Sequence, residues 1–245
     1  MIYLIVGASA GLGRCLSQQL ASLGHDLILI SSSREDLKAM ASDLKIRHRI
    51  KVEIIPADIS AGDEYLDEVE KIIKTMKGLD GIFCPVGAVS DSDDLCLYPA
   101  RVGLLTNVNY MSVASLITRL WPFLTQQPRR TVVVGFGSIA AVRGRSQNIA
   151  YSAAKRALMS FFESLRHGAS NSNVVVQFYI LGYLDTNQAF GRKTLLPRAE
   201  LGGLCQQIVD NLHQDLGTAY YPKYWRFIMF VLKATPWFLF KRMHF

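Results

Sequence analysis

Short, fully apolar runs alternate along most of the chain with longer stretches of helical periodicity. Runs such as Leu27–Ile30 and Val132–Val134 are apolar at every position, whereas a strand with one face in water alternates apolar with polar residues. Strands that are buried on both faces and separated by helices predict a parallel sheet with right-handed crossovers. The sequence therefore predicts an α/β fold built on a single doubly wound, parallel, seven-stranded sheet.

The predicted elements follow one another without an interrupting linker or internal repeat. The predicted strands are 1–6, 26–31, 51–56, 80–84, 131–135, 174–180 and 218–221. The predicted helices are 12–23, 34–45, 62–76, 101–125, 149–170 and 197–214. We expect one domain over residues 1–221 and an amphipathic helical tail over residues 222–245.

Composition and charge exclude several classes of protein. Half of the 245 residues are apolar and 19% are charged, which is too apolar for a disordered chain. The formal net charge is +7, but residues 220–245 hold five Lys and Arg and no acid. The rest of the chain is nearly balanced, which argues against a nucleic-acid partner.

The cysteines and histidines show no metal-binding or disulfide pattern. The four cysteines contain no Cys-x-x-Cys pair, and the five histidines are scattered, so we expect no metal site. The chain begins without a basic region ahead of its first apolar run, and it holds no uncharged apolar stretch of about 18 residues. These features predict a reduced, cytoplasmic protein.

A glycine-rich loop follows the first strand and leads into the first helix. It reads Gly7-Ala8-Ser9-Ala10-Gly11-Leu12-Gly13. Glycines allow the backbone to turn sharply and to approach a pyrophosphate, and the helix N-terminus offers unpaired N–H groups. The loop therefore predicts a dinucleotide site, although Gly-rich turns also serve packing alone.

The second strand ends in polar residues that bear on the choice of dinucleotide. Ser31-Ser32-Ser33-Arg34 contains no acid to hold a free ribose 2′-hydroxyl, while hydroxyls and a guanidinium suit a 2′-phosphate. We therefore expect NADP(H) rather than NAD(H), the alternative being that Arg34 faces solvent. After the third strand, Asp58-Ile59 is placed to meet the adenine, or Asp58 is a helix cap.

Tyr151 and Lys155 lie four residues apart at the start of a predicted helix, so their side chains share one face. An ammonium near the phenol would lower the pKa of Tyr151 and make it an acid/base group. Ser138 follows the strand Val132–Val134 and reaches the same edge of the sheet. Asn109 lies within the long helix 101–125.

Together these motifs resemble the short-chain dehydrogenase/reductase family, over residues 1 to about 221. The resemblance implies a Rossmann-type domain that transfers hydride between a nicotinamide and a small-molecule carbonyl or alcohol, and it implies a homo-oligomer. It gives Tyr151 the role of proton donor, Ser138 that of substrate-oxygen binder, Lys155 that of ribose binder and Asn109 that of water positioner. It also places Val86, Gly87 and Thr186 beside the cofactor.

Three positions depart from the family pattern. Val6 replaces the usual Thr before the first glycine, Cys84-Pro85-Val86-Gly87 replaces Asn-Asn-Ala-Gly, and Leu181-Gly182 replaces Pro-Gly. The second change removes hydrogen-bond donors from the cofactor cleft. Because none of the four catalytic positions is altered, we expect an active enzyme, the alternative being a regulatory protein that binds a dinucleotide without turnover.

Two loops flank the expected site. Residues 187–198 correspond to the family's substrate lid, where Arg192, Lys193 and Arg198 either meet an acidic substrate or are solvated. Asp91, Asp93 and Asp94 are expected to face solvent.

The tail combines a basic stripe with aromatic residues. Lys223, Arg226 and Lys233 recur at helical spacing and leave an apolar face that includes Trp225 and Phe227. This pattern is typical of a helix at an anionic membrane surface, here the inner face, although the same face would also suit packing against the body or a second subunit. A membrane location would favour a hydrophobic or lipid-linked substrate.

Overall fold

The computed structural model describes residues 1–90, 93–94, 98–144, 146–186 and 196–243. Its strands are β1 Ile2–Val6, β2 Asp26–Ser31, β3 Val52–Pro56, β4 Gly81–Cys84, β5 Thr131–Ser138, β6 Val174–Leu181 and β7 Thr218–Tyr221. Its α-helices are α1 Gly11–Ser22, α2 Arg34–His48, α3 Tyr65–Met76, α4 Pro99–Thr106, α5 Ser112–Thr125, α6 Ile149–Gly168, α7 Leu201–Asp210, α8 Trp225–Ala234 and α9 Trp237–Phe240.

The seven strands form one sheet in the order β3-β2-β1-β4-β5-β6-β7, and every neighbouring pair is parallel. The predicted fold class is therefore confirmed. The strand order reverses between β1 and β4, where parallel α/β sheets open a crevice at the carboxyl ends of their strands. The glycine loop after β1 and the segment after β4 both begin at this crevice.

The apolar runs are buried on both faces, as their continuous pattern predicts. On β1, Leu4 and Val6 pack into the core on one side of the sheet, and Tyr3 and Ile5 pack into the core on the other. All four side chains are almost completely buried. Two helical layers thus cover the sheet and leave its carboxyl edge free for a site.

The prediction of one continuous helix over residues 101–125 is wrong. One turn of π-helix, Asn107–Met111, separates α4 from α5, and Asn109 lies within it. The predicted strand 131–135 is too short, because β5 continues to Ser138 in register with β6. Ser138 is therefore the last residue of a strand and faces the carboxyl edge of the sheet.

The tail packs on the body through one face only. Trp225 and Met229, one turn apart on α8, join the buried core, and the Trp225 ring meets Tyr183 edge-to-face at 5.4 Å. Phe227 on the predicted apolar face is instead exposed. Among the described residues, no helix has both the length and the apolarity needed to traverse a bilayer.

Candidate active site

A cleft of about 770 Å³ opens at the carboxyl edge of the sheet. Most of the predicted site residues line it: Gly7, Ser9, Ala10, Gly11, Leu12, Ser32, Asp58, Ile59, Val86, Gly87, Ser138, Tyr151, Lys155 and Thr186. Four predicted residues do not, namely Gly13, Ser33, Arg34 and Asn109. One cavity thus joins the glycine loop to the Tyr151 and Lys155 pair.

The glycine loop has the backbone shape that a pyrophosphate site requires. Gly7 and Gly11 have φ of 74° and 47°, values that residues other than glycine rarely adopt. A methyl group on Gly13 would overlap the Gly7 carbonyl oxygen, so Gly13 allows α1 to pack against the loop. The first N–H groups of α1 point along the helix axis toward this cradle and receive no side-chain cap from Ala10.

Hydroxyl groups extend this cradle toward the end of β2. The Ser9 and Ser31 hydroxyls lie 2.6 Å apart, so Ser31 bonds to the glycine loop and fixes it. Ser32 lines the cleft. Ser33 is the N-cap of α2 and accepts from the Asp36 N–H at 3.3 Å, and Arg34 is exposed at the first position of that helix.

Asp58 lines the adenine end of the cleft but is engaged locally. Its Oδ1 accepts hydrogen bonds from the Ser60 N–H at 2.9 Å and from the Ser60 hydroxyl at 2.7 Å. No helix begins at Asp58, so the alternative role as a helix cap is replaced by a turn. The turn holds the exposed carboxylate at the cleft.

Tyr151 and Ser138 both line the cleft. Burial raises the pKa of Tyr151 above its usual value of 10.0, and the neighbouring Ser138 hydroxyl only partly offsets this shift. The expected lowering of the Tyr151 pKa by Lys155 is therefore wrong. Because Tyr151 is a neutral phenol near pH 7, it is in the state that donates a proton.

Lys155 lies on α6 one turn after Tyr151, and it is almost completely buried. Its Nζ donates to the carbonyl oxygens of Val86 at 2.9 Å and Phe136 at 3.1 Å. Burial lowers the pKa of Lys155 from 10.5 to about 8. The segment after β4 and the strand β5 thus hold an amine that is cationic at neutral pH, with a pKa of about 8.

Asn109 is fully buried behind the cleft wall. Its side-chain amide donates to Ala88 O at 2.8 Å and to Leu105 O at 2.9 Å, and its Oδ1 accepts from Ala88 N at 3.2 Å. A methyl group on Gly87 would lie 3.1 Å from that Oδ1 and 3.5 Å from the Lys155 Nζ. A single glycine therefore separates Asn109 from Lys155.

Asp93 corrects a sequence expectation, because it is buried rather than solvent-facing, with 3% exposure. Its carboxylate oxygens accept from Ala150 N and Tyr151 N, both at 2.8 Å, and its carbonyl accepts from Asn148 N at 2.7 Å. Asp94 is exposed as expected, whereas Asp91 lies outside the described residues. Asp93 satisfies the first N–H groups of α6, including that of Tyr151 itself.

Replacing Asp93 with Ala should leave these buried N–H groups unpaired at the start of α6. We expect the free energy of unfolding to fall by about 1–3 kcal/mol, which urea titration measures. Asp36→Ala, which removes an exposed carboxylate from the first turn of α2, should change it by less than about 0.5 kcal/mol. Equal effects of the two substitutions would contradict the capping role.

The remaining positions are placed as follows. Thr186 and Gly182 line the cleft after β6, while Arg192 and Lys193 lie outside the described residues. Within the part of the chain that the structure describes, no cluster of three or more His, Cys, Asp or Glu side chains is arranged for a metal ion, and Cys15, Cys84 and Cys205 are free thiols.

Comparison with known proteins assigns the family. A family model described as short chain dehydrogenase matches residues 1–193. A protein described as an uncharacterized oxidoreductase of Myxococcus xanthus is 28% identical over 183 residues, covering 75% of this chain and 72% of that protein. The human inactive hydroxysteroid dehydrogenase-like protein 1 is 25% identical over 188 residues, covering 75% of this chain and only 56% of that protein.

A solved structure has the same fold over nearly the whole chain. The short-chain dehydrogenase from Sphingobium yanoikuyae in complex with NADPH superposes with a TM-score of 0.83 at 20% identity, covering 99% of this chain and 96% of that one. This likeness extends the fold agreement beyond the residues matched by the family model. The chain belongs to the short-chain dehydrogenase family and is an oxidoreductase of the dehydrogenase/reductase class.

Proposed function

We propose that this protein interconverts a carbonyl and an alcohol by hydride transfer with NADP(H). One observation carries the proposal: the glycine cradle and the Ser138 and Tyr151 side chains line one cleft. A bound nicotinamide supplies the hydride. The cradle fits the group, because Gly7 and Gly11 line the cleft with positive φ and the first N–H groups of α1 receive no side-chain cap.

Each polar group at the centre of the cleft has a distinct role in this proposal. In the direction of reduction, Tyr151 donates its phenolic proton to the substrate oxygen while Ser138 donates a hydrogen bond to the same oxygen. Lys155, held by two carbonyl oxygens, donates to the cofactor ribose. Asn109 fixes the Ala88 backbone beside Lys155 and thereby the path by which solvent protons return.

The NADP(H) preference is proposed to come from Ser32 and Arg34. Ser32 lines the cleft, and Arg34 stands two residues further on with an exposed guanidinium, within reach of a 2′-phosphate outside the cleft wall. The Sphingobium relative was solved with NADPH, which supports the same choice here.

Removing the Arg34 guanidinium should therefore weaken NADPH selectively. We expect Arg34→Ala to raise the KM for NADPH by about 10- to 100-fold, because a charge-assisted hydrogen bond contributes about 1.5–3 kcal/mol, and to leave the KM for NADH unchanged. Arg47→Ala at the other end of α2, where Arg47 pairs with Asp43 at 2.9 Å, is the matched control. Equal losses for both cofactors would contradict a phosphate contact.

A second candidate is a protein that binds a dinucleotide without turnover. The human relative carries the word inactive in its name, and the Cys84–Gly87 segment departs from the family pattern. Against this candidate, Ser138, Tyr151 and Lys155 all face the cleft. Their arrangement favours the enzyme.

The experiment that tests the proposal is a screen of ketones, aldehydes and alcohols with purified protein and either nicotinamide cofactor. Consumption of NADPH, followed by its absorbance, is the expected result with at least one carbonyl compound. Tight NADPH binding in calorimetry, with no turnover across the panel in either direction, would favour the binding protein.

Two partners complete the proposed function besides the small-molecule substrate. A homo-oligomer and an anionic membrane surface are both expected from the sequence. The described part of the tail supports the second, since its outward-facing side chains are apolar or basic.

A further inference from the structure

We propose that α8 and α9 together form a lipid-binding surface that inserts shallowly into an anionic bilayer. The lipid-binding surface consists of the apolar side chains that these helices leave exposed: Phe227, Phe230, Val231, Trp237, Phe238 and Leu239. Phe227, Phe230 and Trp237 are each about 70% exposed, at 72%, 69% and 69%. Large aromatic side chains exposed to this degree on consecutive helices mark a binding surface.

The same helices are fastened to the enzyme by other residues, so the exposed side chains are not needed to hold them. Trp225 and Met229 are 5% and 4% exposed and join the core. Arg143 donates to the carbonyl oxygens of Leu232 and Thr235, and its guanidinium lies 3.7 Å from the centre of the Phe240 ring. The helices therefore hold these exposed apolar side chains in fixed positions, where Phe227 and Phe230 line an open groove of about 1140 Å³ whose other wall includes Met159 and Glu163 of α6.

The charges around the surface select its partner. Lys223, Arg226, Lys233, Lys241 and Arg242 are all exposed, and residues 220–245 contain no acid. Within the described ranges, no ion pair joins any of the five to a carboxylate. Basic side chains beside exposed Trp and Phe match the headgroup layer of an anionic membrane.

The dimensions and charge of the surface favour a bilayer over a second copy of the chain. The α8 helix has 10 residues and is about 15 Å long, which suits a helix lying in the plane of the interface. A symmetric contact between two copies would bring two sets of five cations together, which costs free energy. A lipid surface offers opposite charge instead.

Vesicle sedimentation tests this proposal without reference to the reaction in the cleft. Wild-type protein should sediment with vesicles that contain phosphatidylglycerol, and it should sediment less with phosphatidylcholine alone or at high salt. Phe227→Ser/Phe230→Ser should lower the partition coefficient by at least about tenfold, because two large apolar side chains no longer enter the bilayer. Leu23→Ser/Ile46→Ser removes two exposed apolar side chains elsewhere and should bind like wild type.

Three results would overturn the proposal. They are wild-type protein that stays in the supernatant with anionic vesicles at low salt, a Phe227→Ser/Phe230→Ser variant that binds like wild type, and a loss of binding in both double variants alike. Analytical ultracentrifugation tests whether a second copy of the chain occupies the surface instead. If the wild type is a dimer that binds no vesicles and Phe227→Ser/Phe230→Ser makes it a monomer, the surface joins two copies. Thermal unfolding of every variant establishes that the protein is folded.

Discussion

Replacing Tyr151 with Phe is expected to lower kcat by about 10²–10⁴-fold, the range that a positioned general acid contributes. The substitution removes only the phenolic oxygen, and the ring remains to fill the cleft wall. In the proposed reaction that hydroxyl is the group that protonates the substrate oxygen. Ser138 and Tyr151 line the same cleft, and the Ser138 hydroxyl is near enough to act on the pKa of Tyr151.

Steady-state kinetics and calorimetry together separate this loss from a loss of binding. The dissociation constant for NADPH should change by less than about tenfold, because the hydroxyl contributes at most a neutral hydrogen bond. Tyr110→Phe is the matched control, since Tyr110 packs against Phe161 at 6.4 Å between ring centres and does not line the cleft. If Tyr151→Phe retained full kcat, another group would be the acid.

The second large effect concerns the pH dependence of stability and is expected from Lys155. Burial depresses the pKa of Lys155 in the folded protein from 10.5 to about 8. Below about pH 8 both states hold the proton, and the folded state bears the cost of an ammonium in a buried site. Between these two pKa values the unfolded chain binds more protons, so the stability contributed by Lys155 rises with pH.

Lys155→Met removes the titrating amine, so the contribution of Lys155 is the difference in free energy of unfolding between the wild type and this variant. The free energy of unfolding of the wild type, relative to that of Lys155→Met, should increase by about 3 kcal/mol from about pH 7 to pH 10.5, given the shift from 10.5 to about 8. Urea titrations of both proteins at several pH values measure the difference. A constant difference across this range would show that Lys155 is not buried as a charge.

The parts of the site that follow from local rules were predictable from the sequence. The continuous apolar strands predict a parallel sheet, and the carboxyl ends of such strands meet at one edge. The Gly7–Gly13 loop and Ser138 each follow a strand of that sheet. The spacing of Tyr151 and Lys155 then places them on one helix face beside Ser138, as the structure has them.

The parts that depend on tertiary contacts were not predictable. Asp93 lies 57 residues before Ala150, whose N–H it caps, and nothing in the loop sequence distinguishes it from Asp94. Asn109 lies in the π-helical turn, and its side chain bonds to Ala88, which lies 21 residues earlier in the chain. The pKa of Tyr151 depends on which groups surround it, and Lys155 turned out to be bonded to backbone carbonyls instead.

In the tail, too, the sequence pattern did not predict the tertiary contacts. Helical periodicity predicts an apolar face on α8, but it does not say which apolar residues contact the body. Trp225 and Met229 are one turn apart on the side of α8 that faces the body, and both are buried. Phe227 and Phe230 lie on other sides of the helix and are exposed. The exposed half is what remains for another partner.

Transfer of deuterium tests hydride transfer in this cleft most directly. NADPH is deuterated at nicotinamide C4, separately on each face, and incubated with the protein and a carbonyl compound from the screen, and the alcohol product is examined by mass spectrometry. Deuterium should appear on the carbinol carbon from one face of the cofactor and be strongly reduced in Tyr151→Phe. NADPH that binds with wild-type affinity, while no deuterium reaches any product, would contradict the account.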